Sequence, residues 1–223
     1  MIQYDAPQTE EQAIEIQTSF ADKVITSDKL AYIDTIAGVD VAYDEDSNQV
    51  VGAAVLLDAK TLEVIESCSV VESISFPYIP GLFSFREIPP LLSAIKKLSV
   101  TPDLIVCDGH GIAHPKRFGM ASHLGVLLDI PTIGCGKTKL VGEYQMPESQ
   151  KGSCTDLIDH QTCIGKVLRT QDGIKPVFVS IGHRVSIDTA VAWIHKLTPK
   201  YRLPETTRQA DQLVNRSLKD LLC

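Results

Sequence analysis

The chain has 223 residues, of which 44% are hydrophobic and 22% are charged. This length is enough to bury one sizeable core and is short for two full domains, so we expect one domain over residues 1–223. The formal net charge of −7 argues against a protein that coats nucleic acid nonspecifically, although it leaves room for a small basic footprint around an acidic centre.

Two features of the sequence bear on the cellular setting. No apolar run approaches the length of a membrane span, and the first residues, MIQYDAPQTEEQ, are acidic and polar. The six cysteines form no C-x-x-C pair, which argues against a disulfide framework. We therefore expect a cytoplasmic protein without a membrane partner.

The first third of the chain predicts a helix followed by an antiparallel meander. Thr9 and Gln12 have the spacing of a capping box, and apolar residues then recur at helical spacing from Glu10 to Thr26. Three strand patterns separated by short turns follow, and such strands pair antiparallel. They cover Thr35–Tyr43, Gln49–Asp58 and Glu63–Val71.

The first of these strands carries a carboxylate in its middle. Asp40 lies between Val39 and Val41, where an aspartate is disfavoured by strand propensity. Either this face of the strand is open to solvent or the carboxylate is functional. Because Gly38 and Ala42 share the face of Asp40 and leave space around it, we favour a functional carboxylate.

A proline-rich segment, SFPYIPGLFSFREIPP, follows the meander. Pro77 and Pro80 bracket Tyr78 and make the segment stiff and extended. An aromatic side chain on such a loop can act as a wedge between bases, although a tyrosine packed on the core is the simpler alternative.

The same segment contains an acidic residue with two readings. Ser84-x-x-Glu87 matches a capping box, which would make Glu87 structural. However, Pro89 and Pro90 fit only the first turn of a helix, so we expect the helix to begin near Glu87 and to run over Pro89–Leu98. That start leaves Glu87 available for other work.

The centre of the chain is the stretch PDLIVCDGHGIAHPKRFG. Its apolar run Leu104–Cys107 suits a strand that is covered on both faces. Asp108 then lies at the carboxyl end of this strand, which is the edge where open α/β sheets bind ligands. Glycines and a polar loop that contains His114 follow it. This arrangement suits a metal-assisted phosphodiester site, and a helix-capping aspartate is the alternative.

A helix over Met120–Asp129 and a strand over Pro131–Cys135 come next, followed by GCGKTKLVG. This string imitates a phosphate-binding P-loop. The full motif needs glycine at position 131, where the chain has proline, so we do not expect a nucleotide triphosphatase. Lys137, at a strand end near Asp108, is still a good phosphate contact.

The last third of the chain predicts an irregular insertion, a hairpin and two helices. These elements are Glu143 to His160, the strands Cys163–Thr170 and Lys175–Ile181, and the helices Ser186–Leu197 and Pro204–Leu222. A set of zinc-ligand residue types lies in and next to the insertion, but its spacing fits no closed zinc site. Its members are Cys154, Asp156, His160 and Cys163.

The final helix places a carboxylate among apolar residues. Asp211 shares a stripe with Val214 and Leu218 by three- and four-residue spacing. A carboxylate on a core-facing stripe needs a partner. The partner is either a metal ion or Arg208, one turn away.

Four separated stretches resemble the endonuclease V (deoxyinosine 3′-endonuclease) family. They are GVDVAY, FPYIPGLFSFRE, DGHGIAHPKRFGMASHLGV with PTIGCGKTKLVG, and SIGHRVS with LPETTRQAD, in order from about Gly38 to Val214. The resemblance implies an α/β, ribonuclease H-like mixed sheet, in which an antiparallel three-strand meander joins parallel strands flanked by helices. It also implies metal-dependent DNA repair by cleavage of the second phosphodiester bond 3′ to deoxyinosine, which leaves a 3′-hydroxyl and a 5′-phosphate.

The resemblance also assigns roles to individual residues. Asp40, Asp108 and Asp211 match the metal-binding positions, and some members carry histidine in place of Asp211. This all-oxygen set suits Mg²⁺, with Mn²⁺ as a substitute. Glu87 falls on an acidic residue between the first two, and His114 and Lys137 on positions near the scissile phosphate. The substrate-binding set is Tyr78 as wedge, with Ile79, Pro80, Gly81, Gly109, Gly111 and Leu140.

We expect a monomeric enzyme whose partner is DNA containing deoxyinosine. Two alternative functions remain. The same fold could act on inosine in RNA, because the catalytic residues do not report the sugar at the cut. A protein that binds lesions without cleaving them is the other alternative, and the retained Asp40, Asp108 and Asp211 argue against it.

Overall fold

The computed structural model describes residues 6–222. Within that range the chain forms five helices and eight strands. They are α1 (Glu10–Ala21), β1 (Thr35–Asp44), β2 (Gln49–Asp58), β3 (Val64–Ser73), α2 (Ser84–Lys96), β4 (Leu104–Cys107), α3 (Met120–Leu128), β5 (Thr132–Gly136), β6 (Cys154–Asp159), β7 (Thr162–Leu168), β8 (Val177–His183), α4 (Ile187–Lys196) and α5 (Glu205–Leu222).

All eight strands form one mixed sheet in the order β3-β2-β1-β4-β5-β8-β7-β6. The meander β1–β3 is antiparallel, and β1, β4 and β5 run parallel to one another. This arrangement confirms the predicted fold class. Three further strands, β8, β7 and β6, extend the sheet beyond the predicted five-strand core. Strand β8 pairs antiparallel with β5 and with β7, and the β7–β8 pair is the predicted hairpin.

One added strand corrects the prediction of an irregular insertion from Glu143 to His160. Within it, β6 pairs antiparallel with β7 and has a register shift between Leu157 and Ile158. Leu157 is the single fully buried residue of β6, whose other side chains are polar or partly exposed. A strand with so few apolar residues carries no clear alternation, which is why the sequence pattern missed it.

The first helix ends at Ala21, five residues before the predicted end. Ile25 has left the helix, and its amide donates to Nδ1 of His183 at 3.2 Å. At the other end the N-cap is confirmed, because Thr9 Oγ1 accepts from the amide of Gln12.

The second helix begins at Ser84, three residues earlier than predicted, so Pro89 and Pro90 lie inside it. Its entry turn is tightened by a bond from the Phe85 amide to the carbonyl of Leu82 at 3.1 Å. The capping-box reading is also wrong, because Ser84 Oγ bonds to Nδ1 of a distant residue, His123, at 3.0 Å.

Alternate residues of the central strands serve two different cores, one on each face of the sheet. Ala37 and Ile105 pack with α2 and α3, whereas Ile36 and Leu104 pack with residues of α4. Helix α5 lies on the same face of the sheet as α4. It comes so near to β1 that a Cβ on Gly38 would be 2.0 Å from the carbonyl oxygen of Thr206. The space predicted beside Asp40 is therefore filled, on the Gly38 side, by α5. Among the described residues, no helix combines the length and apolarity that a membrane crossing requires.

Candidate active site

The parallel pairing of β1 with β4 brings two carboxylates together. Val39 is opposite Cys107, so Asp40 and Asp108 follow as the next neighbours on adjacent strands. Burial, and then repulsion from Asp108, raises the pKa of Asp40 to about 7. Lys137, just after the end of β5, forms an ion pair with Asp108. These two strand positions and the lysine thus meet as predicted.

Glu87 joins this cluster from the first turns of α2. It is only 4% exposed, and burial, followed by repulsion from Asp40, raises its pKa to about 8. The hydroxyl of Tyr43 donates to Glu87 Oε1 at 3.3 Å. The guanidinium of Arg86 lies 4.5 Å above the Tyr43 ring and holds it in place.

Sequence reasoning missed the role of Tyr43, although it is the last letter of GVDVAY. Its position at the end of β1 gives no hint of a partner, because Glu87 is 44 residues further along the chain. The pKa of the Tyr43 phenol is raised by burial and by the negative charge of Glu87, so the group stays protonated and remains a donor.

Asp211 on α5 lies close enough to contribute to the raised pKa of Asp40 and to that of Lys137. The alternative partner, Arg208, is occupied elsewhere. Its guanidinium forms an ion pair with Glu205, with Nε donating to Oε2 at 2.8 Å. The alternative of a salt bridge between Asp211 and Arg208 is therefore wrong.

The chemistry of this cluster suits a hard divalent cation. Its donors are carboxylate oxygens, and burial, followed by repulsion between neighbouring carboxylates, raises the pKa values of Asp40 and Glu87. Among the described residues, no group of three or more His, Cys, Asp or Glu side chains is placed so that it could hold a metal ion, so Asp40, Asp108 and Asp211 do not form a ready three-ligand set. Mg²⁺ does not need one, because it is usually held by one or two carboxylates together with water and substrate phosphate.

A cavity of about 680 Å³ adjoins the carboxylates, and Glu87 and Asp108 are part of its lining. His114 lines it as well. So do five of the predicted substrate-binding residues, which are Tyr78, Pro80, Gly81, Gly109 and Leu140. A concave site of roughly 300–1,000 Å³ is the usual size for a small ligand.

Tyr78 stands at this cavity with 65% of its surface exposed, and its ring edge contacts Phe83 at a centroid distance of 5.5 Å. It is thus not a core residue, which removes the simpler alternative for a tyrosine in this loop. Ile79 does pack inward, against the buried cluster that contains Phe76 and Phe85. The loop is anchored by Ile79 and presents Tyr78.

Two of the predicted glycines differ in their surroundings. Gly81 has a φ of +83°, and a Cβ there would meet nothing within 4 Å, so the Cα side of its backbone is open, whereas its carbonyl oxygen accepts from Gln17. Gly111 does not line the cavity. Its amide donates to Ser180 Oγ at 2.8 Å, and a Cβ there would be 1.9 Å from the carbonyl oxygen of Ile181. In this structure Gly111 packs the loop against β8.

His114 lines the cavity as a neutral side chain. Burial, followed by repulsion from His110 and Arg117, lowers its pKa to about 4. Nδ1 accepts from the amide of Lys116 at 3.2 Å, so the ring proton belongs on Nε2. His114 therefore offers a hydrogen-bond donor and not the positive charge that a protonated histidine would bring to a phosphate.

The string that imitates a P-loop is used for packing. A Cβ on Gly136 would lie 2.4 Å from the ring of His110, whose Nε2 is 3.0 Å from the carbonyl oxygen of Thr138. The residues considered for zinc do not form a common site, since Asp156 pairs with Lys166 and the side chain of His160 is 93% exposed.

Comparisons with known proteins agree with the resemblance seen in the motifs. The Endonuclease V family model matches residues 18–212. The endonuclease V of Streptomyces avermitilis is 51% identical over 216 residues, which cover 96% of this chain and 94% of that protein. The crystal structure of the endonuclease V from the same organism superposes with a TM-score of 0.94 at 49% identity, covering 100% of this chain and 98% of the other. Ciona intestinalis endonuclease V, in complex with a 24mer DNA containing an inosine followed by a ribo-adenosine, gives a TM-score of 0.83 at 28% identity, covering 95% and 100%. The chain therefore belongs to the endonuclease V family of nucleases.

Proposed function

We propose that this chain is a single-domain, metal-dependent DNA repair endonuclease that cleaves the second phosphodiester bond 3′ to deoxyinosine. The observation that carries the proposal is the junction of two features, a cavity large enough for a base and a buried carboxylate cluster that shares Glu87 and Asp108 with it. The complex of the Ciona relative with inosine-containing DNA supports the same class of substrate.

Asp40 and Asp108, with Asp211 beside them, would hold the divalent cation, and Mg²⁺ or Mn²⁺ fits their oxygen donors. Such an ion lowers the pKa of bound water and stabilises the departing 3′-oxygen. Glu87, kept in place by Tyr43, faces the same cluster and is suited to position the attacking water. A buried carboxylate with a raised pKa is a typical general base.

The remaining residues would bind the strand around the cut. Lys137 brings one positive charge to the phosphate, and His114 donates a neutral hydrogen bond through Nε2. Tyr78 would enter the stack that the flipped base leaves. The open backbone of Gly81 would contact that base in the cavity, with Gly109 across from it.

The experiment uses a labelled duplex with a single deoxyinosine. With Mg²⁺ the purified protein should nick the strand at the second bond 3′ to the lesion and leave a 3′-hydroxyl and a 5′-phosphate. Chelation or Asp108→Asn should abolish the cut and leave binding intact. Asp156→Asn, on β6, is the matched control, because Asp156 pairs with Lys166 away from the cluster. This variant should cleave normally.

Two results would replace this proposal with one of its alternatives. Faster cleavage of an RNA strand that contains inosine at the same position would make the protein an endoribonuclease. Tight, lesion-specific binding without a nick in either metal would make it a binding protein.

A further inference from the structure

One polar side chain interrupts the buried face of α1. Ala13 is fully buried, Gln17 is 3% exposed one turn later, and Phe20 continues the same face against the rings of Phe118 and His123. A glutamine among such neighbours costs free energy unless its amide is hydrogen-bonded. An apolar residue would serve packing better, so the amide needs a specific explanation.

The partners of that amide provide the explanation. Gln17 Nε2 lies 2.8 Å from the carbonyl oxygen of Gly81 and 3.4 Å from that of Phe118. Gly81 belongs to the loop that presents Tyr78, and Phe118 belongs to the loop that follows Asp108. One amide group therefore ties both cavity loops to α1.

The helix itself also forms part of the cavity wall. Glu10, Ile14 and Gln17 recur at three- and four-residue spacing and all line the cavity. Ile14 is 42% exposed, which places apolar surface on that wall. The family model match begins only at residue 18, so these positions fall outside it.

We propose that α1 is a wall of the base-binding cavity beside the loops that contain Gly81 and Phe118, with Gln17 as the positioning residue that sets its width and Ile14 as a contact for the flipped base. This inference rests on the proposed function. It predicts that both residues affect the recognition of inosine and leave the affinity for undamaged DNA unchanged, because an undamaged base stays stacked and does not enter the cavity.

The test compares Gln17→Met with the same change at Gln12, which is exposed on α1 and whose side chain accepts from the Gln8 amide and from neither cavity loop. Methionine keeps the length of the side chain and removes both donors. The enzyme concentration that half-saturates single-turnover cleavage of the inosine duplex should rise about tenfold for Gln17→Met, equivalent to about 1.4 kcal/mol, with little change in the saturated rate. Gln12→Met should behave as wild type, and binding to undamaged duplex should be equal for all three proteins.

Ile14→Ala gives a second readout that does not depend on buried hydrogen bonds. Its side chain is already partly exposed, so the variant should fold normally and lose several-fold in affinity for inosine duplex, while Ile14→Leu should restore most of it.

Opposite outcomes separate this inference from the proposed function. A purely structural Gln17 would lower the thermal midpoint and leave the preference for inosine unchanged, which would overturn the inference. Wild-type inosine affinity in Ile14→Ala would overturn the contact role of α1. Failure of the wild-type protein to prefer inosine duplex would overturn the proposed function, and the inference with it.

Discussion

The hydrogen bond between Tyr43 and Glu87 gives the sharpest test of how the carboxylate cluster is held. Tyr43→Phe removes a single oxygen atom. The ring keeps its contact with Phe83 at 6.3 Å and remains under the Arg86 guanidinium at 4.5 Å, so packing is retained.

The size of the effect follows from the geometry. Above about pH 8, where Glu87 is ionised, a hydrogen bond to its charged carboxylate contributes about 1.5–3 kcal/mol, and the 3.3 Å distance places this one at the lower end. A loss of about 1.4 kcal/mol corresponds to a factor of about ten in rate. Because Glu87 borders Asp40 and Asp108, we expect the loss in the saturated single-turnover rate and not in duplex affinity.

The control is Tyr144→Phe, which removes a hydroxyl from a half-buried tyrosine that packs on Phe178 and does not line the cavity. It should cleave as wild type. In a Glu87→Gln background, Tyr43→Phe should cause little further loss, because the two groups act as a pair. A fully active Tyr43→Phe enzyme, or an equal loss in Tyr144→Phe, would refute the reasoning.

Three other predictions concern separate parts of the structure. Tyr78→Ala should weaken binding to inosine duplex by about 1–3 kcal/mol with a smaller effect on undamaged duplex, and equal weakening of the two dissociation constants would contradict a wedge. Asp211→His should keep partial activity with a shift in preference from Mg²⁺ toward Mn²⁺, whereas Asp211→Ala should be nearly inactive, and a stable, active alanine variant would exclude Asp211 from the metal site. Burial lowers the pKa of His123 to about 3, so the folded state takes up fewer protons than the unfolded state below about pH 6.5. The free energy of unfolding should therefore fall by up to about 1.4 kcal/mol per pH unit as pH drops from 6.5 toward 3, and His123→Gln should flatten that slope in denaturant titrations.

Elements whose signal is local were predictable from the sequence. The strand Leu104–Cys107 is an unbroken apolar run, and the bounds of Gln49–Asp58 were predicted correctly from a strand pattern between two turn signals. Asp108 could be placed at a strand end for the same reason. The register of β1 against β4, which brings Asp40 beside it, is a property of the sheet and came only through the family resemblance.

Elements that depend on distant partners were mispredicted. The start of α2 was predicted from Pro89 and Pro90, whereas the helix begins at Ser84, which bonds to His123, and Glu87 bonds to Tyr43. Gln17 carried no signal at all, because its two partners lie 64 and 101 residues away. No periodicity within one helix can report a carbonyl group that another loop supplies.

Asp211 shows why a local pattern alone does not identify the partner of a charged side chain. Arg208 has a carboxylate three residues away on each side, Glu205 and Asp211, and spacing alone does not choose between them. The structure pairs Arg208 with Glu205, while the absence of a side chain at Gly38 lets α5 lie directly on β1. The close approach at Gly38 brings Asp211 toward the sheet, where its charge acts on Asp40 and Lys137. The glycine interpreted as space beside Asp40 is in fact what allows α5 to bring a second carboxylate near it.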